Sequence, residues 1–200
     1  MKRIGITFFA ILFAIAGCGD DGTSSNGVIM DSEFASANMG GNRGLPGKAT
    51  VLRLFGTGEA YGGTVPDIDG DGAVDSATCF DVDLYDGTGK KIGTATDCLS
   101  MITPVGDGLA LIGTTIFHLP NGTFVSRGNT SVQPITVSVA TPATHVTGAI
   151  PIDGSNGVLS GTGAYEGFTA QVRLSGAVDM SKLDSDGLIT FDCLFAISPL

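Results

Sequence analysis

The chain has 200 residues, 31 of them glycine and none tryptophan, and a formal net charge of −10. That length supports one domain with a real core, and the acidity argues against nucleic-acid binding, which needs clustered lysine and arginine. Frequent Gly, Thr, Val and Ser in short alternating runs, with no convincing amphipathic helix after residue 30, point to an all-β domain.

The N-terminus reads as an address. Met1-Lys2-Arg3 is basic, and Ile4 to Ala16 is apolar but too short for a comfortable membrane span. It ends in Ile15-Ala16-Gly17-Cys18, which resembles the bacterial lipobox: a branched apolar residue, two small residues, then the cysteine that receives the lipid. The expected organisation is a signal peptide over residues 1–17, a tether over 18–47 starting at lipidated Cys18, and a folded domain over 48–200. An ordinary cleaved signal peptide is the alternative. The tether segment GDDGTSSNG is too polar and glycine-rich to build a core.

Within the domain, Thr50 to Phe55 is a first predicted strand. A long connection from Glu59 to Ala77 carries Asp67, Asp69, Asp71, Ala73 and Asp75 at positions 1, 3, 5, 7 and 9 of a calcium-loop pattern, with Gly72 at the turn. Position 12 is Thr78, where a bidentate carboxylate is expected. Weak calcium binding and a plain acidic turn are both open; no cofactor is required, and calcium is the one ion the pattern offers.

Cys79 to Leu84 alternates, with Phe80, Val82 and Leu84 on one face and Cys79, Asp81 and Asp83 on the other. Lys90 to Ile102 returns as its hairpin partner. Leu109 to Leu119 and Thr123 to Arg127 form a second hairpin around Asn121-Gly122. Ile135 to Val139 and His145 to Ile150 are further short strands. Val158 and Leu159 end a predicted strand, Ser160-Gly161-Thr162-Gly163 turns the chain, and a second strand follows with Phe168, Ala170, Val172 and Leu174 on one face. A phosphate loop would need a helix there. Leu188 to Ile197 closes the chain with Ile189, Phe191, Cys193 and Phe195 on one face. About eight strands with short links predict an eight-stranded antiparallel β-barrel, with a two-sheet β-sandwich as the alternative.

Three segments resemble the allene oxide cyclase family, whose barrel is shared with the dirigent proteins. They are Leu84-Tyr85 with Gly89 to Cys98, Phe117 to Gly128, and Gly161 to Gly167 with Gln171 to Leu174. The resemblance covers roughly residues 75 to 197. It implies a barrel with a ligand-sized interior, and a pocket formed by Phe80, Val82, Cys98, Phe117 and Phe191. Cys98 falls on the family's pocket cysteine and is the one candidate catalytic residue. Val82 stands where the plant enzymes carry an asparagine, and the first-strand glutamate falls near Arg53, so the plant mechanism does not transfer as it stands.

Among Cys79, Cys98 and Cys193 one disulfide is possible. Hairpin register nearly opposes Cys79 and Cys98. The resemblance instead turns Cys98 inward and Cys79 outward, leaving a buried free thiol at Cys98 at least as favoured as the bridge. Zinc-ligand spacing is absent, and neither His118 nor His145 has a visible partner set for a hydrolase triad.

The expected function is a lipid-anchored bacterial envelope protein, held to a membrane through Cys18, whose barrel binds a small apolar ligand of lipid or polyketide origin. An isomerase or cyclase acting on such a ligand is one alternative. A non-catalytic structural or calcium-binding surface module is the other.

Overall fold

A computed structural model describes residues 47–135, 144–150 and 156–200. The signal peptide, Cys18 and almost all of the tether lie outside the described residues, as does the predicted strand at Ile135–Val139 apart from Ile135. The described chain is a closed eight-stranded antiparallel barrel with two additional strands.

The staves are β1 (Thr50–Glu59), β3 (Asp75–Asp86), β4 (Lys91–Val105), β5 (Gly108–Leu119), β6 (Gly122–Pro134), β7 (Thr144–Ala149), β9 (Ala170–Lys182) and β10 (Leu188–Pro199). Sequential antiparallel pairing runs from β3 to β7. β7 then pairs with β9, β9 with β10 and β10 with β1. Pairing of Leu52, Arg53 and Leu54 with Asp86, Tyr85 and Leu84 closes the ring. Closure satisfies the strand edges that a sandwich would leave open.

One strand was not predicted, and a second keeps its predicted place at Val158-Leu159 but runs on into the glycine-rich turn. β2 (Tyr61–Val65) lies inside the predicted long connection and adds to the outside of β3. β8 (Gly157–Gly161) pairs with the start of β6 and touches β9 at Gln171. The stave between β6 and β9 is therefore divided between β7 at one end and β8 at the other. The β5–β6 turn is also shifted by one residue from expectation: Leu119 pairs with Gly122, so Pro120-Asn121 makes the turn.

Alternation sets the interior. Leu52, Leu54, Phe80, Val82, Leu84, Ala95, Ile189, Phe191, Phe195 and Ile197 are all buried in one cluster. One end of the barrel is filled by aromatic rings. Phe117 stacks on Phe124 at 4.5 Å between centroids, Phe195 meets Phe117 edge-on at 5.2 Å, and Tyr165 and Phe168 close over Phe124. Tyr165 ends a single 3-10 turn (Gly163–Tyr165), so the glycine-rich stretch turns the chain and caps the barrel.

At the divided stave, ladder hydrogen bonds are missing, and Asn156 replaces them. It is almost fully buried. Its Oδ1 accepts the Asn129 N–H at 2.8 Å, and its Nδ2 donates to the Ile150 carbonyl at 2.5 Å. Gly128 makes room for it, since a Cβ at that position would stand 2.9 Å from the Asn156 amide. Replacing Asn156 with alanine would take from the Asn129 N–H and the Ile150 carbonyl their part-buried hydrogen bonds, at about 1–2 kcal/mol for each. Asn156→Ala should lower the unfolding free energy by about 2–4 kcal/mol in urea denaturation.

Candidate functional site

The remaining half of the barrel is open inside. A cavity of about 260 Å³ lies beyond the aromatic plug, lined by inward residues of all eight staves. Cross-strand register explains the space. Ala95, Phe117 and Phe124 stand opposite one another at the plug. The next inward row is Phe80, Asp97, Thr115 and Ser126, and the row after it runs Leu99, Gly113, Gly128. Two adjacent glycines in that last row contribute no side chain to the interior, and Asn156 fills only part of the room.

Most of the wall is apolar: Leu54, Leu111, Val132, Val172, Val178 and Phe191 among others. Thr115, Ser126, Thr130 and Asn156 add neutral polar groups, and Asp97 is the carboxylate among the lining residues. It lies deep in the protein, and the surface it retains faces the cavity. Thr115, its cross-strand partner, donates to Asp97 Oδ1 at 2.7 Å. Burial raises the Asp97 carboxyl to about 6, against the smaller opposing pull of the Thr115 hydrogen bond. Cys193 is the free thiol among the described residues; it lines the same cavity, and burial pushes it up to about 12 with Asp97 adding to the rise.

Of the predicted pocket residues, Phe80 and Phe191 line the cavity, with their rings 5.6 Å apart. Val82 and Phe117 are buried in the core at the filled side and do not reach the cavity wall. The placement of Cys98 is corrected. Phe80 and Val82 point inward opposite Asp97 and Ala95, so the intervening parity turns Cys98 outward. There it bonds Cys79, its direct cross-strand neighbour, in a disulfide. Of the two alternatives, the Cys79–Cys98 bridge is the one formed, so a free thiol at Cys98 and the catalytic role resting on it fall away. Arg53 also faces outward, in a two-point ion pair with Asp192 at 2.9 and 3.0 Å.

The signal for Asp97 was present in the sequence. Ala95, Asp97 and Leu99 share one face of the strand, so apolar neighbours at both i−2 and i+2 mark the aspartate as inward. Assigning Cys98 inward concealed it.

The disulfide belongs to a second, external core. Cys79, Cys98, Thr114 and Arg127 form one cross-strand row on the outer face. Val65, Ile68 and Ala77 pack over the sulfur atoms. The Arg127 guanidinium donates to the Asp67 carbonyl at 2.8 Å and to the Pro66 carbonyl, pinning the acidic loop to the barrel wall.

In that loop, Asp67, Asp69 and Asp71 each place a carboxylate oxygen within 4.8 Å of the others. The oxygens are engaged by the loop's own amides. Asp67 accepts from Gly70 and Gly72, Asp69 from Asp71, and Asp71 from Ala73. The Gly72 and Gly70 N–H groups hold the Asp67 carboxyl below the usual carboxylate range. Asp75 is drawn away to the Ile68 N–H at 2.6 Å. Thr78, at position 12, lines the barrel cavity on the other side of the wall. The loop thus gathers three of the expected ligands and lacks a carboxylate to complete the calcium pattern.

No protein-family model matches the chain, and no curated protein matches it.

Two outcomes follow from this geometry. An aspartate raised from 3.8 to about 6 binds its proton more tightly folded than unfolded, so its stabilising contribution is complete below about 4 and is lost as pH rises through 6. The shift corresponds to about 3 kcal/mol. Asp97→Asn should therefore be more stable than the parent by about 2–3 kcal/mol at pH 7.5, with the difference vanishing near pH 4, as read by paired denaturation curves. The disulfide closes a separation of 19 residues. Replacing both Cys79 and Cys98 with alanine should cost about 3 kcal/mol of unfolding free energy and leave the far-ultraviolet circular dichroism of the barrel intact.

Proposed function

We propose that this chain is a lipid-anchored envelope protein whose barrel holds one small, mostly apolar molecule. The cavity carries this reading. At about 260 Å³ it exceeds the roughly 150 Å³ engineered cavity that accommodates benzene. The apolar part of such a cavity gains packing contacts when a ligand occupies it. Apolar walls with a few convergent polar groups are the usual composition of a ligand site. The lipobox-like Ile15-Ala16-Gly17-Cys18 supports membrane anchoring, and the segments resembling allene oxide cyclases support a barrel of the ligand-holding kind.

The binding reading is preferred to the cyclase reading. With Cys98 outside and bonded to Cys79, the resemblance supplies no reacting group inside the barrel.

Titration of naphthalene into the full chain in lipid nanodiscs, with empty nanodiscs as the blank, tests this by calorimetry. A saturable one-to-one heat is expected. Ala149→Phe, which fills the cavity from β7, should weaken binding by about tenfold or more and keep a cooperative unfolding transition. Heat no greater than the blank, or an Ala149→Phe variant that binds like the parent, would sink the proposal.

A further inference from the structure

The cavity has one end-group chemistry built into it. Three titratable side chains lie along its wall: Asp97, Arg127 and Cys193. Arg127 has turned its guanidinium to the outer face, where Nη1 and Nη2 are taken by the Asp67 and Pro66 carbonyls. Cys193 is neutral, its thiol donating to the Ala177 carbonyl at 3.8 Å. The charged residues beside Asp97 on neighbouring strands also face away. Asp81 and Asp83 share the outer parity of β3, His118 hydrogen-bonds Thr96 outside, and Asp192 is paired with Arg53. Among the described residues that line it, the cavity therefore has a carboxyl and no cationic head turned inward; His145 shares the inward parity of Thr147 and Ala149 on β7 and stands opposite Val178, outside that lining.

Asp97 is also under-bonded. Thr115 is its one hydrogen-bond donor among the described residues, although a carboxylate accepts up to about four. Its position is fixed by the ladder, with Phe80 on one side and Thr115 then Ser126 on the other. The cost of burying this group is borne in the ligand-free fold. A ligand that brings a donor to it recovers part of that cost, and a cationic donor recovers more. An anionic head such as a fatty-acid carboxylate would meet like charge in a low-dielectric interior.

We propose that the cavity selects an apolar molecule bearing an amine head, with Asp97 as the specificity-determining residue that receives the ammonium group. This rests on the binding reading above and names the class of ligand within it. Asp97 must be ionised to act, so recognition should weaken as pH falls through about 6.

Three probes of similar shape test it in the same nanodisc calorimetry: 2-phenylethylamine, propylbenzene and 3-phenylpropionate. At pH 7.5 the amine should bind about tenfold or more tighter than propylbenzene, and the carboxylate should give no saturable heat. Lowering the pH to 5 should weaken the amine about tenfold and leave propylbenzene unchanged. Asp97→Asn should abolish the amine's advantage over propylbenzene when both are measured in that variant. An amine that binds no better than propylbenzene, or keeps its advantage in Asp97→Asn, overturns the assignment while propylbenzene binding keeps the cavity reading intact. If neither probe binds, both fail. If only the amine binds, and Asp97→Asn removes it, the headgroup assignment is supported and the purely apolar pocket is not.

Discussion

The register between β3 and β4 is the constraint on which the rest depends. Phe80 stands opposite Asp97, and Cys79 opposite Cys98. Adjacent residues in a strand point to opposite faces, so these two pairs decide both sides of the wall together. One pair places an aromatic ring and a carboxyl in the cavity. The other places a disulfide outside, where β2 and the acidic loop pack over it. A slip of one residue would exchange them, putting a disulfide inside and a carboxylate under the external apolar cluster. The Thr115 partner of Asp97 and the Arg127 partner of the loop would be lost with it.

The same rows account for the distribution of matter inside the barrel. Large rings meet at one level, where Phe117, Phe124 and Phe195 fill the cross-section. Further along, Gly113 and Gly128 stand side by side with no side chains. An eight-stranded barrel has an interior just wide enough to be filled by side chains or to hold one small ligand, and here one half is filled by rings while the other keeps a cavity. Asn156 stands between the two outcomes. Its amide supplies hydrogen bonds that a divided stave cannot, and its bulk occupies the space above Gly128 without closing the cavity.

A charge placed in such an interior has consequences for both stability and recognition. Asp97 destabilises the fold wherever it is ionised, because burial leaves its carboxylate one protein donor, Thr115, and little of the water it would have in solution. The outer face handles its acids differently: Asp83 pairs with Lys91, Asp192 with Arg53, and Asp67 with backbone amides. An under-bonded group facing an apolar cavity is a common mark of a site whose complement arrives from outside.

Much of the fold was legible in the chain. Alternation in Cys79 to Leu84, in Phe168 to Leu174 and in Ile189 to Phe195 assigned inner and outer faces that the structure keeps, because period-two patterning is local and each run is long enough to be unambiguous. The acidic spacing from Asp67 to Asp71 likewise determined a tight, self-bonded loop. The candidate site was less legible. Lys91 to Val105 has polar residues on both faces, so Ala95 and Leu99 flanking Asp97 gave a weak signal of its parity, and the strand it pairs with decided it. Tertiary structure made that choice, and with it turned Cys98 out and Asp97 in. It also decided the division of a stave into β7 and β8 and the addition of β2. Those arrangements depend on which edges remain unpaired once the barrel closes, and an unpaired edge is a property of the assembled sheet that no single segment carries.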